Sequence, residues 1–209
     1  KDIGWAYADQ SMFNPKLHNL MSLRKQIIKR PVITTVEVLV KPVSSKNDMF
    51  FTGFVHRPYP PIYLELSRNA QFNSATVIRG TEGGIIPSLR QTGKVHFYHG
   101  TGEQDDYYDI TPEDLGIVQS SRAVDIPEEI TRKNTKDKIE SKVDAVDIAK
   151  ETIKSGISAL SGSDGAMLSC IQLGAAIILQ RATGNDLGEC SKEVLHVLKS
   201  GAALKRMKR

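Results

Sequence analysis

The fold is decided by the stretch Ala75-Thr76-Val77-Ile78-Arg79-Gly80-Thr81-Glu82-Gly83-Gly84. Its first five residues are mostly β-branched or small and apolar, which favours a buried β-strand, and glycines follow at once. Such a run is typical of the carboxyl end of a parallel strand, where the chain turns sharply and ligands tend to bind. The stretch therefore predicts a strand over 75–79 and a ligand-binding turn over 80–84.

Predicted strands and helices alternate on both sides of this turn. Before it, 49–56 is predicted as a strand and 60–70 as a helix. After it, 93–99 and 106–110 are predicted as two further strands that pair as a hairpin across a polar, glycine-containing segment. Alternation of this kind indicates an α/β layered fold. We therefore expect a mostly parallel central sheet flanked by helices, with a small antiparallel hairpin.

Both ends of the chain are predicted to be helical. Apolar residues recur at helical spacing over 17–28, and Pro31 ends that pattern. The β-branched run 32–40 fits either a strand or a buried helix, and periodicity alone does not choose between them. In the second half, helices are predicted over 143–157, 166–181 and 191–207. The middle one contains the small residues Gly174-Ala175-Ala176 and is predicted to be the most buried element.

Composition places the chain among soluble globular proteins. Of its 209 residues, 40% are hydrophobic and 25% are charged, which supplies core material and excludes disorder throughout. Cys170 and Cys190 are too few for a disulfide framework and lack metal-site spacing, so a reducing cytoplasm is expected. The longest apolar stretch, 166–179, contains Gln172 and is shorter than the roughly 20 residues that a bilayer requires. We expect a cytoplasmic domain over 1–209 without a membrane partner.

Charge is distributed unevenly along the chain. The formal net charge of +4 combines +7 over 1–100, −6 over 101–150 and +3 over 151–209. Segment 120–142 is the most polar, and its lysines among acidic residues predict an exposed loop or helix. A basic block attracts phosphate-bearing partners over a distance, although surface lysine and arginine most often serve only solvation. The basic first half is therefore a candidate binding surface.

Several motifs, in order along the chain, resemble the carboxyl-terminal α/β domain of the anthranilate phosphoribosyltransferase family. The most specific is Thr111-Pro112-Glu113-Asp114-Leu115-Gly116-Ile117, which is similar to the family's T-P-E-D-F-G-L. Two earlier matches are Phe13-Asn14-Pro15-Lys16-Leu17-His18, similar to F-A-P-x-x-H, and Leu23-Arg24-Lys25-Gln26, similar to V-R-R-E. Two later ones are Leu173-Gly174-Ala175-Ala176, similar to L-N-A-A, and Leu198-Lys199-Ser200-Gly201-Ala202-Ala203, similar to L-x-S-G-K-A. The resemblance covers nearly the whole chain.

The resemblance is closer to a divergent branch of glycosyltransferase family 3 that lies outside the tryptophan pathway and binds nucleic acid. Three segments carry this resemblance. Thr35-Val36-Glu37 is similar to the branch's H-T-x-E-K-L, and Gly53-Phe54-Val55-His56-Arg57-Pro58-Tyr59 is similar to its G-x-x-H-P-P-Y. The turn over 80–84 is similar to its K-G-x-G-G. This resemblance implies a glycosyltransferase-like domain that has lost tryptophan-pathway activity. It also implies a basic face that binds nucleic acid with weak sequence preference, or another phosphate-bearing ligand.

The resemblance further implies which parts of the family this chain does not contain. In the family, the motifs G-T-G-G-D and K-H-G-N hold phosphoribosyl pyrophosphate, and a small helical domain forms the dimer. All three correspond to positions before Lys1. Where the family has an Asp-Glu pair for magnesium, this chain has Gly83-Gly84-Ile85-Ile86, so neither a cofactor nor a metal is expected here. The alternative function is that of a phosphoribosyltransferase-like pentosyltransferase that acts on an unidentified acceptor. In that case the magnesium, the donor site and the homodimer interface belong to the amino-terminal part.

The candidate site residues combine cations with the glycine turn. Arg24 corresponds to the arginine that faces the aromatic acid in the family, and a guanidinium binds a carboxylate or a phosphate through paired hydrogen bonds. For Arg24, the alternative is an ordinary surface arginine on a helix. For the whole domain, a scaffold that binds no ligand is a third hypothesis. His56 and Tyr59 are candidates for stacking on bases, and no catalytic residue is assigned, because neither His56 nor His96 has a visible acidic partner. The predicted phosphate-binding residues are Arg24, Lys25, Lys29, Arg30, Lys41, Arg57, Arg79, Gly80, Gly83 and Gly84.

Overall fold

The computed structural model describes residues 4–24, 26–27, 31–81, 84–100, 102–127, 130 and 145–208. The chain divides into two compact units. Unit 1 comprises Lys1–Ile85 and Lys94–Asp109, and unit 2 comprises Ile86–Gly93 and Ile110–Arg209. Some of the predictions concern residues outside the described ranges, namely those for Lys25, Lys29, Arg30, Gly83 and for 131–142.

Unit 1 is built on a four-stranded sheet whose strands follow one another in sequence order. The strands are β1 (Met49–Phe54), β2 (Ser74–Arg79), β3 (Gly93–His99) and β4 (Asp106–Ile110). β1 and β2 run parallel, and β2 and β3 run antiparallel. The predicted α/β class and the four predicted strands are confirmed.

The sheet is mixed rather than mostly parallel. A parallel connection between neighbouring strands needs a crossover of a dozen or more residues, usually a helix. The described part of the link from β2 to β3 contains no α-helix. The chain therefore reverses after β2, and β3 lies antiparallel beside it. The parallel part of the sheet is the pair β1 and β2.

The amino-terminal part of unit 1 carries short helices, α1 (Gln10–Phe13), α2 (Pro15–His18), α3 (Met21–Arg24) and α4 (Ile33–Val36), the last continued by a 3-10 turn (Glu37–Leu39). Segment 32–40 is thus helical and not a strand. The continuous helix predicted over 17–28 is wrong, because Asn14 caps a helix that starts at Pro15 and ends at His18. None of the residues in α1 to α4 is buried.

One helix, α5 (Tyr59–Asn69), connects β1 to β2. Two prolines occupy its first turn, where their missing N–H groups cost nothing. The helix buries Tyr63 and Leu64 against one face of the sheet. The core of unit 1 consists of Phe50, Phe54, Tyr63, Leu64, Phe72, Ala75, Val77 and Tyr98.

Unit 2 is helical in its second half. Its helices are α6 (Ala145–Leu160), α7 (Ala166–Thr183), α8 (Leu187–Lys199) and α9 (Ala202–Met207). The last predicted helix is divided in two, because Gly201 adopts a left-handed conformation with φ of +69°. α7 buries eight residues, more than any other described helix, as predicted.

α7 is also long and apolar enough, by length and composition, to cross a membrane. Its polar residue Gln172 is buried and donates a hydrogen bond of 2.9 Å to Ser191 Oγ on α8. Leu173, Ala176 and Ile177 are completely buried. These contacts are those of a core helix in a helical layer, and the core helix of a soluble protein passes the same composition test.

Candidate functional site at the carboxyl edge of β1 and β2

Four of the predicted site residues lie at one edge of the sheet in unit 1. They are His56, Arg57, Arg79 and Gly80. The last residues of the two parallel strands, Phe54 and Arg79, are partners in the register. The chain segments that follow them, with His56 and Arg57 after β1 and Gly80 after β2, therefore leave the sheet at the same edge. Ligands bind at such an edge in open α/β sheets. The structure thus places the ends of both predicted strands at one edge of the sheet.

A cavity of about 510 Å³ opens at this edge. Its walls come from three segments of unit 1, namely α4 with its 3-10 turn, the end of β1 and the start of α5. Its size lies within the roughly 300 to 1,000 Å³ of typical ligand pockets. The lining residues are Pro31, Val32, Thr34, Thr35, Val38, Thr52, Gly53, Phe54, Val55, His56, Tyr59 and Tyr63.

The polar groups of this lining are hydroxyls and one imidazole. Thr34 Oγ1 donates to the Pro31 carbonyl at 2.8 Å, whereas Thr35 and Thr52 bring hydroxyls that have no hydrogen-bond partner among the described residues. No lysine, arginine, aspartate or glutamate is among the lining residues that the structure describes. The cavity can therefore offer hydrogen bonds without a fixed charge.

The two predicted stacking residues lie side by side in the cavity wall. The His56 and Tyr59 ring centroids are 6.1 Å apart, with an angle of 43° between the planes. Tyr63 continues the row, 5.9 Å from Tyr59. These separations are those of aromatic pairs in contact. A flat ligand ring entering the cavity would meet this row.

Arg57 and Arg79 are the exposed cations at this edge. Neither forms an ion pair with another residue in the part of the chain that the structure describes. Their guanidinium groups are therefore available to an anionic ligand.

Two other predicted cations are engaged with carboxylates. Arg24 Nη1 lies 2.7 Å from Glu37 Oε2. Lys41 Nζ lies 2.9 Å from Asp48 Oδ2, and Asp48 directly precedes β1. Lys41 is thus at the amino edge of the sheet, and a strand of six residues separates it from the carboxyl edge by roughly 20 Å. The structure does not bring Lys41 to the cavity.

The glycine turn is closely packed at Gly80. A Cβ atom on Gly80 would lie 1.4 Å from the Gly84 carbonyl oxygen, so only glycine fits there. Gly84 N–H donates to the Thr81 carbonyl at 3.0 Å. The Thr81 hydroxyl is buried without a hydrogen-bond partner among the described residues, a state that buried polar groups seldom adopt.

The described residues of the turn do not include the carboxylate pair that the resemblance associates with magnesium in this family, and Glu82 is the one acidic residue in the sequence of the turn. Magnesium in proteins is held by carboxylates and water, and Gly84, Ile85 and Ile86 provide no carboxylate. Across the described ranges, no group of three or more histidine, cysteine, aspartate or glutamate side chains is placed to hold a metal ion.

Sequence reasoning missed the threonine wall and an aromatic cluster on the hairpin. Thr34 and Thr52 have no motif of their own, and only the pairing of β1 with β2 identifies Thr52 as a residue near the edge. On the hairpin, the His96 ring lies 5.7 Å from Phe54 and 5.6 Å from Tyr107. Lys94 Nζ lies 3.9 Å above the Tyr107 ring. Burial is the main cause that holds the pKa of His96 below its ordinary value, and the positive charge of Lys94 is the second cause.

Solved structures share this architecture along the whole chain. The crystal structure of anthranilate phosphoribosyltransferase (TrpD) from Thermus thermophilus matches with a TM-score of 0.67 at 19% identity, covering 100% of this chain and 55% of that chain. This is the fold of anthranilate phosphoribosyltransferase. The described strands and helices are similar to those of about half of that enzyme.

Two structures of the anthranilate phosphoribosyltransferase from Saccharomyces cerevisiae match similarly. One is a serine-to-alanine variant with magnesium bound, with a TM-score of 0.66 at 14% identity. The other is a complex with 4-fluoroanthranilate, with a TM-score of 0.65 at 16% identity. Each match covers 92% of this chain and 50% of the yeast chain. At these identities, the likeness concerns the fold.

Two curated relatives come from Aquifex aeolicus (strain VF5). Its anthranilate phosphoribosyltransferase is 22% identical over 205 residues, which is 98% of this chain and 54% of the enzyme. A protein named only as uncharacterized is 34% identical over 86 residues, which is 41% of this chain and 27% of that protein. No family model matches the chain. The predicted resemblance to anthranilate phosphoribosyltransferase is confirmed, and the chain spans about half the length of that enzyme.

Proposed function

We propose that this domain binds single-stranded nucleic acid at the carboxyl edge of β1 and β2, with a base in the cavity and phosphates on the two exposed arginines. The observation that carries this proposal is that Arg57 and Arg79, two exposed cations without a carboxylate partner among the described residues, follow or end the two parallel strands at the edge where the cavity opens. The aromatic pair of His56 and Tyr59 lies in the wall of that cavity. Cations and stackable rings along one groove are the combination that binds single strands without sequence preference.

The aromatic row supports the base-binding half of the proposal. Stacking of a base on a protein ring contributes about 1–3 kcal/mol and tolerates any base. The Thr35 and Thr52 hydroxyls provide both donors and acceptors within reach of the cavity. Weak sequence preference follows, because hydroxyl groups can rotate to suit different base edges.

The arginines support the phosphate-binding half. Two phosphate contacts release counterions, and for a single strand the logarithm of the binding constant should fall with the logarithm of salt concentration with a slope of about −1.4. Another phosphate-bearing ligand, such as a nucleotide, would use the same groups.

The proposal includes the loss of tryptophan-pathway activity. The described residues of the glycine turn supply no carboxylate for magnesium, and Arg24 is paired with Glu37. The two cysteines, both buried and free, accord with a reducing cytoplasm as the compartment.

Gel retardation of a labelled oligothymidylate by this chain tests the proposal. We expect retardation at low salt and release by a few tenths molar salt. The double variant Arg57→Ala/Arg79→Ala should weaken binding by about tenfold or more, since charged hydrogen bonds are lost. The control Lys46→Ala/Lys192→Ala removes the same charge from two exposed lysines elsewhere. Absence of retardation at every ionic strength rejects the proposal, and equal losses in both double variants reject the site.

The second candidate function is a pentosyltransferase, phosphoribosyltransferase-like, that acts on an unidentified acceptor. It is favoured by the match of the whole chain to about half of an enzyme with that activity. The donor site, with magnesium and phosphoribosyl pyrophosphate, and a homodimer interface would then belong to an amino-terminal part. Thermal protection of the full-length protein by phosphoribosyl pyrophosphate with magnesium tests this candidate, and absence of any shift argues against it.

A further inference from the structure

We propose that the outer edge of β4 binds a basic, extended polypeptide segment of a partner protein as a fifth strand of the sheet. No residue of β4 lines the cavity at the carboxyl edge of β1 and β2. This second site is therefore an interaction surface of its own, and it does not depend on the binding of nucleic acid.

The backbone of β4 is available on the side that faces away from β3. β4 is the last strand in the order of the sheet, and no described strand lies on its other side. Every second residue of such a strand directs its N–H and C=O groups outward. Tyr107 is one of these residues, because its N–H donates to Asp106 Oδ1 at 2.7 Å and not to β3. Asp109, two residues later, presents its backbone to the same side.

The contact between Tyr107 and His96 supports this assignment. Their ring centroids are 5.6 Å apart, across the pair of β3 and β4. In an antiparallel pair, the side chains of opposite residues approach most closely where those residues do not exchange hydrogen bonds with each other. The N–H and C=O groups of Tyr107 are then free to pair with an added strand, which is the way in which extended peptides bind to sheet edges.

The charge around β4 decides which kind of segment fits. The sequence over 103–109 contains four carboxylates and no lysine or arginine. Asp105 and Asp109 are each paired with a cation of unit 1. Glu103 and Asp106 are exposed, and neither forms an ion pair with a residue that the structure describes. Lysine or arginine side chains on an added strand would therefore meet two carboxylates that have no cation.

The same charges argue against a second copy of this chain at the outer edge of β4. Two β4 strands side by side would bring Asp106 and Asp109 of one copy close to the same residues of the other. Like charges on paired strands are destabilising, whereas opposite charges stabilise the pair. A basic strand reverses the sign of each of these contacts, so the occupant is a segment of a different protein.

The exposed ring of Tyr107 adds an apolar contact. This ring is 56% exposed, and an apolar side chain of an added strand can pack beside it. In the free protein, the Asp106 carboxylate accepts the hydrogen bond from the Tyr107 N–H, so an added strand must displace it. Binding is therefore modest and reversible.

Fluorescence anisotropy with a labelled peptide tests the proposal. The probe is the heptapeptide Lys-Val-Lys-Val-Lys-Val-Lys with blocked termini. The control peptide Lys-Pro-Lys-Pro-Lys-Pro-Lys has the same charge and lacks three backbone N–H groups. This chain should bind the valine peptide about tenfold or more tightly than the proline peptide, because strand hydrogen bonds are lost. Equal binding of the two peptides, or binding of neither, overturns the proposal.

Two variants of β4 locate the site. Tyr107→Pro removes the outward N–H and leaves the bonds to β3, and proline is tolerated on edge strands. It should weaken binding of the valine peptide about tenfold, with circular dichroism as the check of its fold. Glu103→Gln/Asp106→Asn removes two charges, while the amide oxygen at position 106 can still accept from the Tyr107 N–H. This double variant should weaken binding about fivefold.

A matched control separates the local effect from a change in net charge. Glu65→Gln/Glu193→Gln removes two exposed carboxylates on α5 and α8 and should change the affinity by less than about twofold. If Glu103→Gln/Asp106→Asn binds the valine peptide as tightly as this control, the proposal is overturned, whether or not Tyr107→Pro folds. A folded Tyr107→Pro variant with wild-type affinity overturns it as well.

Discussion

Lys41 Nζ lies 2.9 Å from Asp48 Oδ2 and donates to the Gln71 carbonyl at 2.7 Å. The same ammonium lies 4.1 Å above the Phe72 ring. Asp48 also accepts hydrogen bonds of 2.8 Å from the backbone N–H and the hydroxyl of Ser45. One lysine therefore ties the segment after α4 to the start of β1 and to the end of α5. It is a structural link at the amino edge of the sheet.

Replacement of Lys41 should destabilise unit 1. Lys41→Met leaves Asp48 and the Gln71 carbonyl without their cation, and a shielded polar group that loses its partner costs more than the bond itself contributed. We expect a lower midpoint of thermal unfolding. Lys46→Met, at an exposed position with no ion pair among the described residues, should leave the midpoint unchanged. Equal midpoints for the two variants would contradict the structural role.

The same contact predicts a pH dependence. Hydrogen bonds from Lys41 and Ser45 hold the pKa of Asp48 below its ordinary value of 3.8. Between those two values the unfolded chain binds more protons than the folded one, so stability falls as the pH falls. The contribution of ionised Asp48 is complete above pH 3.8 and is lost as the pH falls through the folded pKa. In urea unfolding, the stability difference between wild type and Asp48→Asn should therefore shrink in acid, and a constant difference would contradict this.

Gln71, two residues after the last residue of α5, adopts a left-handed conformation with φ of +61°. Its N–H donates to the Arg68 carbonyl, and the Phe72 N–H donates to the Ser67 carbonyl, the pattern that usually places glycine here. Gln71→Gly should relieve the strain of the left-handed conformation. Because glycine also raises the conformational entropy of the unfolded chain, the net gain in the free energy of unfolding, measured in urea, should be about 0.5–1 kcal/mol. Ala70→Gly, one residue earlier at φ of −79°, should instead be destabilising. Similar effects of the two glycines would show that the conformation at residue 71 is not strained.

Tyr98 is almost completely buried and anchors the core of unit 1 through its hydroxyl. This hydroxyl donates to the Phe72 carbonyl at 3.0 Å and lies 3.2 Å from Ser67 Oγ. Tyr98→Phe should cost about 1–3 kcal/mol in urea unfolding, because the buried Phe72 carbonyl loses its donor. Tyr107→Phe, on an exposed ring, should change stability by less than about 0.5 kcal/mol. A loss at Tyr98 as small as that at Tyr107 would contradict the network.

Lys94 should control the titration of His96. Burial is the main cause that lowers the pKa of His96, and the positive charge of Lys94 is the second, while Asp105 and Asp109 act in the opposite direction. We expect His96 to titrate below 6.5 by NMR, and Lys94→Gln to raise its pKa because a like charge is removed. A midpoint for His96 that ignores the substitution would count against this arrangement.

The sequence predicted the elements of the sheet better than it predicted their connection. The β-branched run that ends at Arg79 formed a buried strand, because alternation and turn glycines are local signals. The direction of β3 was not predictable from such signals, since it depends on whether the link over 80–92 carries a crossover helix. The single helix predicted over 17–28 is wrong because one short helix ends at His18 and the next begins only at Met21.

By itself, the sequence determined the α/β class, the strand that ends in a glycine turn, the buried helix α7, and a resemblance that the solved structures confirm at the level of the fold. Only the tertiary structure decided which cations remain available. Arg24 and Glu37 are 13 residues apart, and Lys41 and Gln71 are 30 apart. Local patterns encode burial and turns, whereas the pairing of charges depends on distances that exist only after folding. Arg57 and Arg79 therefore became the candidate phosphate contacts, and Lys41 became a structural link.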